Sequence, residues 1–230
     1  MKVQNQHSGK PNALPCVQTP VSRSRFVPML FSTPMVQAIL NGTKTETRRI
    51  INPQPENNKL SSIMSNCNFK NGNFCFKHKI SDNPDRFEIT DLMKSKVNVG
   101  DIIWVRETFV NKENIFFKYA DVAPVWQREW KWKPSLFMPK KACRLFLEVL
   151  DIKIEKLHQI DEQSAINEGI EIASFSNKYY KDYNGAGYFE KAVNSYYSLW
   201  NKINGKDSHK INPWVWVYRF RSIPVPPDFC

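Results

Sequence analysis

The sequence lacks any apolar run that approaches the ~20 residues a membrane-spanning helix requires. Its first 25 residues also lack the apolar stretch of a secretory signal. The five cysteines are odd in number, irregularly spaced and without a CxxC pair, which argues against a disulfide framework. We therefore expect a cytoplasmic protein that has no membrane partner.

Acidic residues are absent from positions 1–25, although the whole chain has 33 basic and 22 acidic residues and a formal net charge of +11. A basic chain favours polyanionic partners and salt-sensitive binding. Residues 1–24 are polar and without periodicity, and they are predicted to be a flexible basic arm. Residues 25–223 are predicted to form one domain with an insertion at about 52–98, followed by a tail at 224–230.

Cys67, Cys75 and His78 lie close together in the insertion, a grouping that could suggest zinc. No second ligand pair follows at a usual spacing. The alternative is a β-hairpin over residues 66–79 that turns at Asn71-Gly72. We predict the hairpin, no metal and no cofactor.

The periodicity of the remaining chain predicts an α+β fold, a mostly antiparallel β-barrel with inserted and peripheral helices. A short helix after Ser32 is expected to bury Met35, Ile39 and Leu40 and to end at Gly42. The other predicted elements are strands over Ile102–Val110, Arg144–Leu157 and Trp214–Arg221, and helices over Asp161–Glu168 and Tyr188–Ile203. Ile115–Tyr119 is expected to pair with the first of these strands.

Five sequence blocks resemble the ASCH family, in the order found in its phage and prophage members. The first is a GxKxxTxR pattern filled by Gly42, Lys44, Thr47 and Arg49. The others are Gly100–Glu107, Trp132–Pro139 followed by Arg144, Asp161–Gly169, and Asn212–Trp216. The resemblance covers about Phe26–Phe220.

The resemblance implies a PUA-like barrel, a fold that usually binds RNA or modified bases. One compact bacterial member is an amidohydrolase that acts on acetylcytidine through a Lys, a Thr and a Glu. Those residues map onto Lys44, Thr47 and Glu168, which are the candidate catalytic residues here. Glu168 could instead be a helix-surface carboxylate.

Amide hydrolysis would need the Thr47 hydroxyl to lose its proton to a neutral Lys44. Burial and adjacent cations, such as Arg48 and Arg49, lower a lysine pKa. Arg106 or a backbone N–H could hold the oxyanion. Residues three apart on a regular strand point to opposite faces, so Lys44 and Thr47 share a pocket only if the chain twists after Gly42.

Cationic, aromatic and polar residues within the same blocks are the candidates for binding a base or a nucleic acid. Base–aromatic stacking would use the rings, although each ring could equally be core. The interleaved Trp and Lys of residues 126–133 suit an RNA-facing loop or a loop that covers apolar surface. The predicted binding residues are Arg48, Arg49, Trp104, Arg106, Glu107, Tyr119, Trp132, Ser135, Met138, Arg144 and Trp214.

Four functions therefore stand in order. Binding of RNA or a modified nucleoside comes first, because the insertion and the extra C-terminal helix depart from the compact enzyme. An amidohydrolase acting on an acylated nucleoside is second. A ribonuclease and a phage partner protein with a vestigial pocket follow.

Overall fold

The computed structural model describes residues 25–55, 60–63, 73–79, 87–122, 128–173 and 175–229, with the backbone alone at 60–63, 73–79 and 87–92. The predicted arm, the turn at Asn71-Gly72 and Cys67 lie outside these residues. The helices are α1 (Thr33–Leu40), α2 (Glu162–Asn167) and α3 (Ala192–Asn204). The strands are β1 (Phe26–Leu30), β2 (Glu46–Ile50), β3 (Leu60–Ile63), β4 (Asn73–Lys79), β5 (Phe87–Lys94), β6 (Ile102–Arg106), β7 (Phe109–Lys112), β8 (Ile115–Lys118), β9 (Phe146–Lys156), β10 (Tyr180–Lys181), β11 (Tyr188–Phe189) and β12 (Trp214–Ile223).

A five-stranded mixed sheet in the order β1-β6-β9-β12-β2 lies at the centre of the protein. β1 runs parallel to β6, and the other neighbours are antiparallel. The α+β prediction is therefore confirmed. Among the described residues the sheet does not close into a barrel, because its edge strands β1 and β2 are not paired with each other.

The two faces of the sheet cover separate cores, as the alternation along β12 requires. Trp214, Trp216, Tyr218 and Phe220 face one core, where they pack with residues of α1, β6 and β9. Val215 and Val217 face the other core, which α2 and α3 cover with Ala165, Tyr196, Leu199 and Trp200. The predicted alternation of this last strand is confirmed.

Helix α2 has the ends that the sequence predicted. Asp161 is its N-cap and accepts a hydrogen bond from the Ser164 N–H at 2.7 Å. Gly169 follows the helix with a φ of +79°, the left-handed conformation that glycine adopts readily. The end of α1 is also as predicted, since Gly42 has a φ of +73°.

The burial predicted for α1 was wrong at Leu40, which is 46% exposed. The helix has barely two turns and faces the sheet with Val36 and Ile39, which are three residues apart. Leu40 follows Ile39 by about 100° of rotation and therefore points outward.

The predicted strand over Ile102–Val110 is divided at Glu107. Glu107 turns into the protein, where its side chain pairs with Arg144 and its N–H donates to the Met138 sulfur. The chain leaves the central sheet there, and β7 pairs with β8 instead of extending β6. Ile115–Lys118 therefore pairs with Phe109–Lys112 and not with the first half of the predicted strand.

The predicted start of the C-terminal helix was also wrong. Tyr188 and Phe189 form β11, which pairs with β10. Helix α3 begins at Ala192, whose N–H donates to the Glu162 carboxylate at 2.7 Å. A side chain distant in sequence therefore decides this boundary.

The insertion forms a separate sheet in the order β3-β4-β5. Its C-terminal end returns to the domain, since Ser95 and Val97 are buried and the Ser95 hydroxyl lies 3.1 Å from that of Tyr218. Within the described part of the chain, no helix combines the length and hydropathy that crossing a bilayer would require.

Candidate functional site

Lys44 and Glu168 meet inside the protein, although 124 positions separate them. The Lys44 ammonium donates to Glu168 Oε2 at 2.6 Å and to the backbone carbonyls of Glu46 and Glu168, each at 2.8 Å. Its side chain is fully buried and that of Glu168 is 2% exposed. All three ammonium protons are therefore directed at protein acceptors.

Gly169 permits this close approach. The Lys44 and Glu168 backbones form a β-bridge beside it. A Cβ at Gly169 would lie 2.7 Å from the Ala38 Cβ and 2.8 Å from the Lys44 Cβ. The glycine that ends α2 thus also brings Glu168 against Lys44.

Arg48 connects the same carboxylate to two others. Its Nη1 lies 3.2 Å from Glu168 Oε1 and 3.5 Å from Glu46 Oε2, and its Nε donates to Glu155 Oε1 at 2.9 Å. Its Nη2 is 2.8 Å from the same Glu155 oxygen but is not aligned for a hydrogen bond. We call Lys44, Glu46, Arg48, Glu155 and Glu168 the buried charge cluster.

Burial and charge act on these groups in opposite directions. Burial lowers the pKa of the Lys44 ammonium, and the attraction of Glu168 offsets this only in part. Burial also opposes the charge of Arg48, but the carboxylates of Glu168 and Glu155 outweigh it and raise its pKa. Burial beside Glu168 raises the pKa of the Tyr196 hydroxyl well above its usual value.

Thr47 lies on the other face of the sheet. It pairs with Tyr218, whereas Arg48 pairs with Val217, and these two partners face different cores. The buried Thr47 hydroxyl has no hydrogen-bond partner among the described residues, Lys44 and Glu168 included. The structure therefore brings together two of the three predicted catalytic residues, and the third points away from Arg48.

Two cavities flank Arg49 and Ile50. The smaller has a volume of about 120 Å³ and is bounded by Arg48, Glu168 and Tyr196. The larger, about 360 Å³, lies between the edge strands, and we call it the β1–β2 cleft. Its lining residues are Val27, Pro28, Met29, Leu30, Arg49, Ile50, Asn52, Lys94, Lys96, Val97, Trp216 and Tyr218.

Arg49 crosses the gap between the two edge strands. Its Nη2 donates to the Leu30 carbonyl at 2.6 Å, and its guanidinium lies 5.2 Å from the centre of the Phe31 ring. Its Nε is buried and has no partner among the described residues. Burial lowers the pKa of this guanidinium, with Glu168 acting in the opposite direction. One donor of Arg49 therefore joins the strands and another is unsatisfied.

No family model, curated protein or solved structure matches this chain. The ASCH resemblance therefore depends on the sequence blocks alone and stays a prediction.

The other predicted binding residues line neither cavity. Glu107 and Arg144 form a two-bond ion pair at 2.9 and 3.0 Å. Arg106 donates to the Leu136 carbonyl and lies 5.4 Å from the centre of the Trp104 ring. Trp214 is a core residue. Tyr119, Trp132, Ser135 and Met138 belong to the region around β7 and β8, where Met138 is 1% exposed.

Sequence reasoning missed several residues of this site. Glu46 lies two positions from Arg48, a spacing that places both on one face of a strand. That signal was available. Glu155, Tyr196, Trp216 and Tyr218 come from β9, α3 and β12, and no local pattern relates them to Lys44.

Proposed function

We propose that this chain binds a nucleobase or nucleoside, free or within RNA, in the β1–β2 cleft, as a member of the PUA-like ASCH family. The observation that carries the proposal is the lining of the cleft. It combines aromatic side chains, three basic side chains and the edges of two strands in one opening.

The size and chemistry of the cleft suit such a ligand. Its volume of about 360 Å³ falls within the ~300–1,000 Å³ of typical small-molecule sites. The cavity beside Glu168, about 120 Å³, falls below that range. Trp216 and Tyr218 offer apolar ring surface, and the exposed Lys94 and Lys96 suit a phosphate.

The strand arrangement supports a PUA-like, partly open barrel. Both edge strands line one cleft, and Arg49 spans them. A flat sheet would hold its outer strands apart. The motif residue Arg49 is therefore at the place where such a barrel would open.

The buried charge cluster supports the binding proposal because it forms a rigid wall. Lys44 donates to three acceptors, and both oxygens of Glu168 are engaged. A charged lysine in this arrangement cannot accept a proton from Thr47. In the binding proposal, the cluster positions β2 and its Arg49.

An amidohydrolase is the second candidate, favoured by one observation. Burial lowers the pKa of Lys44, which brings the neutral amine closer to neutral pH. The enzyme would still require the Thr47 hydroxyl to reach Lys44. Release of acetate from acetylcytidine by the wild type, lost in Lys44→Ala, would establish it over simple binding.

The binding proposal is tested by titrating the full chain with cytidine, acetylcytidine, uridine and cytidine monophosphate, followed by calorimetry. We expect Arg49→Lys to weaken all four by about tenfold or more, because an ammonium lacks the planar fork of a guanidinium. Lys96→Ala should weaken the monophosphate alone. Lys178→Ala, an exposed lysine outside the cleft, is the matched control.

Thermal unfolding of each variant separates binding from folding. Arg49→Lys that melts like the wild type and binds every ligand equally well would contradict the proposal. So would a wild type that binds none of the four.

A further inference from the structure

The surface around β7 and β8 contributes nothing to the cleft, yet it has the features of a second site. It consists of the β7–β8 hairpin, residues 130–133 and the turns at Ser135–Phe137 and Lys140–Ala142. We infer that this surface, the aromatic–basic face, binds a single-stranded nucleic acid. It shares no residue with the cleft, so either proposal can fail alone.

Four aromatic rings form a continuous row on this face. Phe117 and Trp130 have centroids 5.0 Å apart, Trp130 and Trp132 are 5.5 Å apart at 33°, and Trp132 and Tyr119 are 4.9 Å apart. All four side chains are half-buried, so each ring is anchored on one side. Rings at this spacing suit successive bases of one strand, because every base has a π-face that can stack on them.

The backbone holds this row in place. Phe109 and Lys133 exchange N–H···O bonds of 3.1 and 2.8 Å, which adds residues 130–133 to the hairpin as a further extended segment. Beneath them, Phe109, Met138 and Ala142 form a small core. A preformed surface loses little conformational freedom on binding.

The charge on this face is strongly positive. Residues 109–144 contain eight Lys and Arg against three Asp and Glu. Among the described residues, no carboxylate lies within ion-pair distance of Lys112, Lys131, Lys133 or Lys141, and residues 123–127 contain none. The Lys112 ammonium is 3.9 Å from the centre of the Trp130 ring, which places a cation beside the row.

A groove of about 560 Å³ continues the row past Trp132. Its wall includes Lys133, Lys141 and Phe137, and Phe137 is 66% exposed. A large exposed ring next to uncompensated cations suits a ligand that supplies both bases and phosphates. A second copy of the chain would place positive charge against positive charge, and a double helix would keep its bases stacked on each other.

The test is fluorescence anisotropy of the full chain with labelled 12-nucleotide oligouridylate and oligothymidylate, each over a series of salt concentrations. We expect Trp130→Ala and Phe137→Ala each to weaken binding by roughly 5- to 150-fold, the loss of one stacked base. Phe175→Ala, an exposed ring elsewhere on the protein, is the control for both. The two oligomers show whether RNA or DNA is preferred.

The lysines are tested by their effect on the salt dependence. Lys131→Gln with Lys133→Gln should reduce the slope of log K against log salt by about 0.7 for each phosphate that the variant no longer neutralises. Lys178→Gln with Lys202→Gln changes the net charge equally at exposed positions elsewhere and should leave the slope unchanged.

Three outcomes would overturn the inference. They are absence of binding by the wild type, equal losses from the two lysine doubles, and equally tight binding of a duplex or of polyglutamate. Phe137→Ala keeps the test decisive even if Trp130→Ala unfolds, because Phe137 is largely exposed.

Discussion

Around Lys44, two cations meet three carboxylates inside the protein, whereas around Trp130 several lysines lie on the surface without a described carboxylate nearby. The two regions contribute to the same basic composition. In the first, the fold supplies every acceptor of the Lys44 ammonium. In the second, the acceptors must come from water or a ligand. The position of the acceptors therefore distinguishes a structural cation from one available for binding.

Removing one lysine from each region is the strongest way to break this comparison. Lys44→Met leaves Glu168 without its closest partner and should lower the free energy of unfolding by about 3–5 kcal/mol. Lys112→Met removes an exposed cation and should change it by no more than about 1 kcal/mol. Urea unfolding at neutral pH measures both. Equal midpoints would show that the cluster contributes no more to stability than the surface does.

The contact between α2 and Lys44 can be tested through its glycine. Gly42→Ala, where no atom lies within 4 Å of the new Cβ, should cost only the left-handed conformation, about 1–2 kcal/mol. Gly169→Ala adds overlap with Ala38 and Lys44 and should cost about 1–3 kcal/mol more. Thermal or urea unfolding compares the two variants. Equal losses would mean that the chain relaxes around the added methyl group.

The cap of α2 should show the pH dependence of a carboxylate that is hydrogen-bonded in the folded state. The Ser164 N–H lowers the pKa of Asp161 below its ordinary 3.8. Its contribution is therefore complete above that value and is lost as the pH falls through the lower folded-state pKa. Asp161→Ala should cost about 1 kcal/mol at neutral pH.

Urea midpoints at neutral pH and at about pH 2 check this prediction. The difference between wild type and Asp161→Ala should shrink at the lower pH. Asp161→Asn keeps an acceptor at every pH and is the control. A difference that stays constant would assign the effect to packing.

An exposed ion pair marks the smallest expected effect. Lys181 and Glu171 are 2.8 Å apart, close to the distance between Lys44 and Glu168, but both side chains are nearly half exposed. Glu171→Gln should change the free energy of unfolding by less than about 1 kcal/mol. A larger loss would show that distance, and not burial, determines the value of these pairs.

Local signals predicted the elements whose ends depend on their own residues. Asp161 and Gly169 bound α2 through a cap and a left-handed glycine, both of which are visible in sequence. The split at Glu107 and the start of α3 depend on Arg144 and Glu162, which lie 37 and 30 positions away. Pairing over such distances leaves no periodic trace, so these two boundaries were predicted wrongly.

The site divides in the same way. The motif blocks pointed to Lys44, Arg49 and Glu168, and the structure brings all three to the two adjoining cavities. The strand spacing also anticipated that Thr47 would differ from its neighbours in the direction it faces. The carboxylates of Glu46 and Glu155 and the rings of Trp216 and Tyr218 were not anticipated.

By itself, the sequence determined the α+β class, the alternation of the last strand, the limits of α2 and the excess of positive charge. Each follows from residue type or from short-range geometry. Only the tertiary structure decided which cations are neutralised, because ion pairs depend on distances between strands and helices that are far apart along the chain. It also decided where the sheet leaves a cleft, since that depends on how five strands pair and on the reach of Arg49 across the remaining gap.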